Sequence, residues 1–152
     1  MNKQLGKKNR NFTQGIFKPK NSQKYIGAVP IYRSMLELKA FRYLDNNPNV
    51  LSWSSESVVI PYVSPSDGKI HRYFVDLVAK LKSKDGNIKK LLIEIKPEKQ
   101  TVPPIDTGRK KQSTILYERY HYAINTAKWQ AARAWCEKKG YNFIIMNEKH
   151  LN

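Results

Sequence analysis

The order of apolar and polar positions along the chain predicts a mixed α/β fold. Apolar residues recur at helical spacing in two segments, and they alternate with polar residues or run together in four shorter segments. The pattern predicts, in chain order, a helix at residues 34–44, strands at 58–63, 70–81 and 89–96, a helix at 113–139 and a strand at 141–146. We therefore expect one domain, residues 34–152, with a central mixed sheet flanked by helices in the order αβββαβ.

The first predicted helix has a clear start. Ser34 is a good N-cap residue, and Glu37 stands three positions later, as in a capping box. On a helical wheel, however, Glu37 falls inside the apolar arc of the helix. That arc consists of Leu36, Ala40, Phe41, Tyr43 and Leu44. An acid that points towards a core needs a reason, so Glu37 either caps the helix or belongs to a functional site.

The second predicted helix, residues 113–139, ends before Gly140, a residue that commonly terminates helices. Trp129 and Trp135 lie in its alanine-rich half and are expected in the core. Lys128 is either a phosphate contact or a solvated side chain. The pattern gives no role to Tyr117, Tyr120 and Tyr122.

The second and third predicted strands carry charged side chains at positions that should be close together. An Asp-Gly turn joins these strands as an antiparallel hairpin. Because side chains alternate between the faces of a strand, Glu94 and Lys96 share one face, and Asp76 lies on the neighbouring strand. Burying such charges is costly unless they are paired or bind a metal. This face is therefore either a solvated edge with a minor ion pair or a metal site.

Asp76, Glu94 and Lys96 together have the chemistry for phosphodiester hydrolysis. Such hydrolysis needs a divalent cation that neutralises the phosphate and activates water. Mg²⁺ prefers a few carboxylates together with waters, and we expect Asp76, Glu94 and the backbone carbonyl of Ile95 as its ligands. Lys96 would orient the attacking water or stabilise charge that develops at phosphorus. Glu37 would bind a second ion or hydrogen-bond a water on the ion.

The charge of the chain indicates a polyanionic partner. The 152 residues contain 28 Lys and Arg against 12 Asp and Glu, which gives a net charge of +16 and a pI of about 9.9. Such an excess favours nucleic acid. The single cysteine, Cys136, excludes an intramolecular disulfide framework, and the sequence contains no zinc motif, signal peptide or membrane span. We expect DNA as the partner and a cytoplasmic location.

Many of the basic residues lie in an N-terminal arm, residues 1–33. Eight cations precede the first acid of the chain. We expect the arm to follow phosphates or to lie over the core, anchored by Phe12, Phe17 and Tyr25, although residues 1–10 fit a solubilising tail equally well. A second basic cluster precedes the second helix. The expected DNA contacts are Lys7, Lys8, Arg10, Lys18, Lys20, Arg109, Lys110 and Lys111.

The motif formed by Asp76 and Glu94-Ile95-Lys96 resembles that of the PD-(D/E)xK restriction-endonuclease-like nucleases. The proline of the family name is absent, because Val75 precedes Asp76. The stretches YRSMLELKAF, RYFVDLV and LLIEIKP are similar to the TnsA-type transposon endonuclease branch. Together with the preceding GIFKPKNSQKYIG, they resemble the small head-completion nucleases of tailed phages. The resemblance covers residues 15–146.

This resemblance implies a restriction-endonuclease-like core and a Mg²⁺-dependent deoxyribonuclease, with Mn²⁺ as an alternative ion. It implies that Asp76 and Glu94 bind the metal, that Lys96 is the catalytic lysine, and that Glu37 is the supporting acid from the first helix. It also implies a role in head completion and head–tail joining on packaged DNA, in the host cytoplasm or the virion, with phage head or portal components as partners. A non-catalytic DNA-binding or virion structural protein with the same fold is the alternative.

Overall fold

The structure is a computed structural model that describes residues 14–151. In this range the helices are α1 (Met35–Asn46), α2 (Gln112–Lys139) and α3 (Glu148–Leu151). The strands are β1 (Gly15–Ile16), β2 (Ile31–Tyr32), β3 (Val50–Ser55), β4 (Val59–Val63), β5 (Ile70–Phe74), β6 (Leu77–Lys82), β7 (Ile88–Ile95) and β8 (Asn142–Met146). Single 3₁₀ turns occur at Ser22–Lys24 and Glu98–Gln100.

The central sheet has four strands in the order β3-β6-β7-β8. The pairs β3–β6 and β6–β7 are antiparallel, whereas β7 and β8 are parallel. A parallel pair needs a long crossover connection, and the helix α2 supplies it. The predicted mixed α/β fold with a central mixed sheet is confirmed.

The prediction of one continuous strand at residues 70–81 is wrong. The chain forms β5 and β6 instead, and the ladder is interrupted at Val75 and Asp76. At this break the Asp76 side chain accepts the backbone N–H of Ile95, so it replaces a ladder acceptor, and pairing with β7 resumes at Leu77 opposite Ile93. Upstream of the break, β5 pairs only with β4, in a separate two-stranded sheet.

The predicted order αβββαβ is therefore incomplete. The strand predicted at residues 58–63 exists as β4, but it lies outside the central sheet. In the central sheet β6 pairs instead with β3, which has no counterpart in the prediction. The short β1–β2 hairpin and α3 were also not predicted.

Both faces of the central sheet are covered by apolar side chains. On one face, Phe41 and Leu44 of α1 pack with Trp53, Leu77 and Ile93. The other face carries Leu92 and is covered by α2, through Trp129, Ala132 and Cys136. Glu94 lies on this second face and is only 5% exposed. The interpretation of this face as a solvated edge is therefore wrong.

The helix α1 begins as the sequence predicts but buries a different set of residues. Ser34 is the N-cap, and its Oγ accepts the backbone N–H of Glu37 at 3.1 Å. Tyr43, which was expected in the apolar arc, is 42% exposed, while Leu38 and Asp45 are buried. The helical wheel missed Asp45 because it assumed one apolar stripe, whereas residues of the arm cover a second side of α1 near its C-terminal end.

The described part of the arm lies over the core. Phe17 packs edge-to-face against Phe41 and lies beside Trp53, and Tyr25 contacts the same tryptophan. Asp45 is 1% exposed and accepts the backbone N–H groups of Lys20 and Asn21 at 2.9 and 3.1 Å. Phe17 and Tyr25 thus make the contacts expected of anchors. Phe12, the third predicted anchor, lies outside the described residues.

Replacing Asp45 should loosen the arm. Asp45→Ala leaves the N–H groups of Lys20 and Asn21 without their acceptor, and we expect the free energy of unfolding to fall by about 2–4 kcal/mol. Asp45→Asn keeps one acceptor oxygen and should lose less. Urea denaturation of the three proteins measures the difference. An Asp45→Ala protein as stable as the wild type would show that these hydrogen bonds do not hold the arm.

The helix α2 runs without interruption from Gln112 to Lys139. Gly140 ends it in the left-handed conformation, with φ of 77°, as the sequence predicted. Trp129 is buried and Trp135 is partly buried against Tyr141, so both belong to the core as expected. No helix within residues 14–151 has the length and apolar character needed to cross a membrane.

Candidate active site

The break between β5 and β6 brings Asp76 to the C-terminal end of β7. Its Oδ2 accepts the backbone N–H of Ile95 at 2.7 Å. Ile95 stands between Glu94 and Lys96, so this single hydrogen bond holds the Asp76 carboxylate against the Glu-Ile-Lys segment. The structure thereby brings the three predicted residues Asp76, Glu94 and Lys96 together.

Glu94 is a buried carboxylate with three partners. Tyr73 donates its hydroxyl hydrogen to Oε1 at 2.6 Å, and the indole Nε1 of Trp129 donates to Oε2 at 3.3 Å. The Nζ atom of Lys96 lies 3.6 Å from the same Oε2. Donors from β5 and α2 therefore fix the carboxylate from the side of the core, and Lys96, with 23% of its side chain exposed, approaches it from the side of solvent.

The electrostatics of the site favour a bound cation. Burial raises the pKa of Asp76 well above its ordinary value, and the negative charges of Glu94 and Glu37 raise it further. The hydrogen bond from Ile95 and the charge of Lys96 act in the opposite direction but do not cancel the rise. Carboxylates that repel one another in a partly buried site lose that repulsion when a divalent cation binds between them.

The donor set fits Mg²⁺. Among residues 14–151, no three His, Cys, Asp or Glu side chains are arranged as a metal-binding group. Asp76 and Glu94 form a two-carboxylate set, and Mg²⁺ usually binds one or two carboxylates while keeping several waters. The backbone carbonyl of Ile95 was predicted as the third ligand. Glu37 does not join Asp76 and Glu94 as a direct third carboxylate in this arrangement.

Glu37 lies at the start of α1 and also beside Asp76, so its position is compatible with both roles that the sequence left open. Its own N–H donates to the Oγ of the N-cap residue Ser34, and its Oε1 accepts the backbone N–H of Arg33, the residue before the N-cap, at 2.7 Å, so Glu37 takes part in the start of α1. It also lines a small cleft together with Asp76 and Glu56. Burial, which is the largest effect, raises its pKa, although the Arg33 N–H and the Arg33 charge oppose the rise.

Two residues near the carboxylates were missed by the sequence analysis. Glu56 adopts a left-handed backbone with φ of 54°, which is rare for a residue other than glycine, and its N–H donates to the Asp76 carbonyl at 3.0 Å. Its side chain pairs with Arg33 at 2.9 Å. Strict alternation along one continuous strand would put Tyr73 on the face opposite Asp76, and the break in the strand turns its hydroxyl towards Glu94. Neither role has a signal in the local sequence.

The predicted DNA contacts are only partly described. Lys7, Lys8 and Arg10 lie outside the described residues. Lys18, Lys20, Arg109 and Lys111 are exposed, and Lys110 is half-buried and pairs with Glu118 at 2.8 Å. Exposure leaves these side chains available to phosphate, and their role stays a prediction.

Two comparisons with known proteins bear on this site. The family model of the N-terminal domain of TnsA-like endonucleases matches residues 47–148, which contain Asp76, Glu94 and Lys96. The head completion nuclease of Enterobacteria phage T4 is 40% identical over 144 residues, which cover 90% of this chain and 92% of that protein.

Proposed function

This chain belongs to the TnsA-like endonuclease family, and from that premise we propose that it is a Mg²⁺-dependent DNA endonuclease with Asp76, Glu94 and Lys96 in its active site. The observation that carries the proposal is the hydrogen bond from Ile95 to Asp76, because it joins the two carboxylates and the lysine at one strand end. The net charge of +16 supports DNA as the substrate.

The two carboxylates would hold the ion, with the carbonyl of Ile95 as a further ligand, and Mn²⁺ could replace Mg²⁺. When bound, the ion neutralises phosphate charge and activates water. Glu94 would keep one orientation in this role, because Tyr73 and Trp129 each donate a hydrogen bond to it. A carboxylate held in this way binds a cation without first losing conformational freedom.

Lys96 would act on the substrate. Its ammonium group lies 3.6 Å from Glu94 and is partly exposed, so it can reach a phosphate placed at the carboxylates. There it would stabilise the negative charge that develops at phosphorus or orient the attacking water. Glu37, across the cleft from Asp76, would accept a hydrogen bond from a water in the site.

The similarity to the T4 head completion nuclease extends the proposal to a biological role. The alignment covers nine-tenths of both chains. We therefore assign this protein to head completion, where it would act on packaged DNA before head–tail joining. Phage head or portal components are the proposed partners, in the host cytoplasm or on the virion.

Cleavage of supercoiled plasmid tests the proposed function. The purified protein should convert the plasmid to nicked or linear forms with Mg²⁺ or Mn²⁺, and EDTA should stop the reaction. DNA binding without conversion under either ion would reject the endonuclease. It would support the alternative of a DNA-binding or virion structural protein that keeps the fold.

Glu37→Gln separates capping from a role at the active site. The amide keeps an oxygen that can accept the Arg33 N–H, so we expect the free energy of unfolding to change by less than about 0.5 kcal/mol. Loss of the charge beside Asp76 should lower the cleavage rate by roughly tenfold. Single-turnover cleavage and urea denaturation measure the two effects. An unchanged rate would leave Glu37 as a helix cap only.

Deleting residues 1–10 should reduce the salt dependence of DNA binding. Each phosphate contact adds roughly 0.9 to the slope of log affinity against log salt, so three or four lost contacts should lower the slope by about three. Lys18→Gln with Lys20→Gln provides a comparison within the described arm. Affinity for one duplex at several salt concentrations gives the slopes. Equal slopes for the full and shortened chains would indicate that residues 1–10 do not contact phosphate and would assign the DNA contacts to Arg109, Lys110 and Lys111 instead.

A further inference from the structure

The first half of α2 carries a group of exposed aromatic rings, which we name the aromatic platform: Tyr117, Tyr120 and His121. Tyr117 is 65% exposed and Tyr120 is 51% exposed, and His121 is also exposed. The His121 ring lies 4.2 Å from the ring of Tyr117 and 5.3 Å from that of Tyr120, measured between centroids. The three rings thus form one contiguous surface, and none of them belongs to either hydrophobic core.

Basic residues lie close to the aromatic platform in the sequence. Arg109, Lys111 and Arg119 are exposed and form no ion pair with another residue in the described part of the chain. The pair between Lys110 and Glu118 ties the basic segment to α2, one residue along from Tyr117. Exposed rings beside free cations complement a polyanion that also offers flat apolar groups, and this combination describes a nucleic acid strand.

The helix connects the aromatic platform to the candidate active site. Tyr117, His121 and Lys128 are spaced i, i+4 and i+11, so they lie on one face of α2. The Nζ atom of Lys128 lies 5.5 Å from the ring centroid of Tyr73, the residue whose hydroxyl donates to Glu94. Eleven residues of helix span roughly 16 Å. A DNA strand of about five nucleotides is long enough to cover this distance.

We propose that the aromatic platform binds unpaired bases of a DNA strand that leads to the active site. Bases inside a duplex are stacked on one another and cannot present their faces to a protein ring, whereas unpaired bases can. Stacking on tyrosine or histidine does not depend on base identity, so the platform would select the state of the DNA and not its sequence. This inference rests on the proposed function and specifies its substrate: DNA that carries a single-stranded tail or an opened region.

Binding in EDTA tests the aromatic platform without requiring cleavage. The ligands are a labelled oligothymidine, a blunt duplex and the same duplex with a single-stranded tail, followed by fluorescence anisotropy. In Tyr117→Leu/Tyr120→Leu, affinity for the oligothymidine and the tail should fall roughly 10- to 100-fold. Affinity for the blunt duplex should change by less than about twofold, since it depends on phosphate contacts.

Two matched variants control the experiment. Tyr117→Phe/Tyr120→Phe keeps the rings and should restore tail binding. Tyr43→Leu makes the same change at an exposed tyrosine of α1 and should leave every affinity as in the wild type. Leucine favours helix, so α2 should persist in the first variant, and its circular dichroism spectrum should match that of the wild type.

Three results would overturn the inference: unchanged tail binding in the leucine variant, an equal loss for tailed and blunt DNA, or failure of phenylalanine to restore binding. If the wild type cleaves plasmid with Mg²⁺ but the leucine variant binds tails normally, only the aromatic platform is rejected. If the wild type binds none of the three ligands, both the aromatic platform and the proposed function on DNA are rejected.

Discussion

Replacing Asp76 by asparagine should abolish DNA cleavage, by a factor of about 10³ or more, while DNA binding survives. The amide keeps an oxygen that can accept the Ile95 N–H, so the end of β7 should retain its geometry. What is lost is the negative charge that a cation needs. Glu94→Gln should cause a loss of similar size, and the two substitutions together should cost little more than one if, as proposed, both carboxylates hold the same ion.

The measurements are single-turnover plasmid cleavage and DNA affinity without metal. Asp106→Asn is the matched control, because it removes one negative charge from an exposed loop outside the site. Removing a carboxylate near the phosphate also removes repulsion, so Asp76→Asn should bind DNA at least as tightly as the Asp106 variant. Full cleavage by Asp76→Asn or by Glu94→Gln would reject the assignment of the site.

Asp76→Asn should also stabilise the protein in the absence of divalent ions. The pKa of Asp76 in the fold is well above its ordinary value, so the folded state holds the proton over a pH range in which the unfolded chain has released it. The free energy of unfolding must then fall as pH rises from the ordinary pKa through the raised one. Asparagine cannot ionise. The free energy of unfolding of Asp76→Asn should therefore not show this decrease with pH, and at neutral pH the variant should be more stable than the wild type. Urea denaturation at several pH values measures both effects.

The parts of the fold that could be predicted depend on local signals. The start of α1 was evident from Ser34 and Glu37, and the end of α2 from Gly140, because capping and left-handed termination involve only a few neighbouring residues. The strand β3 was missed because three serines interrupt its apolar pattern, and its burial comes from Phe17, Tyr25 and Phe41, which are distant in sequence.

The break at Asp76 shows why the long strand was predicted wrongly. Alternation of side chains assumes that the ladder continues, but the Asp76 carboxylate takes the N–H of Ile95, nineteen positions away in the chain. Across the break the pattern of faces shifts: Tyr73 and Val75 join the core under α2, whereas Leu77 joins the core under α1. No residue near Asp76 in the sequence indicates this contact.

The spacing of Glu94 and Lys96 made the centre of the candidate site predictable, but its supporting residues were not. Two charges in an apolar strand violate a local rule, and such violations indicate function. Trp129 violates no such rule, because it was expected in the core and is buried there. Its indole N–H nevertheless donates a hydrogen bond to Glu94. The packing of α2 on the sheet decides which buried polar atom contacts which carboxylate. Neither the sequence of α2 nor that of β7 contains this information by itself.

Replacing Lys96 by alanine should lower the rate of cleavage by roughly 10²–10³-fold and leave metal affinity almost unchanged. Glu94 keeps the hydrogen bonds from Tyr73 and Trp129, which are shorter than its 3.6 Å contact with Lys96, so its orientation should not depend on the lysine. Removal of a positive charge beside the carboxylates should, if anything, strengthen cation binding. Lys96→Arg retains the charge but spreads it over a planar group, and we expect it to recover only part of the rate. Single-turnover cleavage gives the rate, and Mn²⁺ titration followed by electron paramagnetic resonance gives the affinity. If Lys96→Ala loses Mn²⁺ binding in proportion to its rate, the lysine holds the site together and does not act on the phosphate.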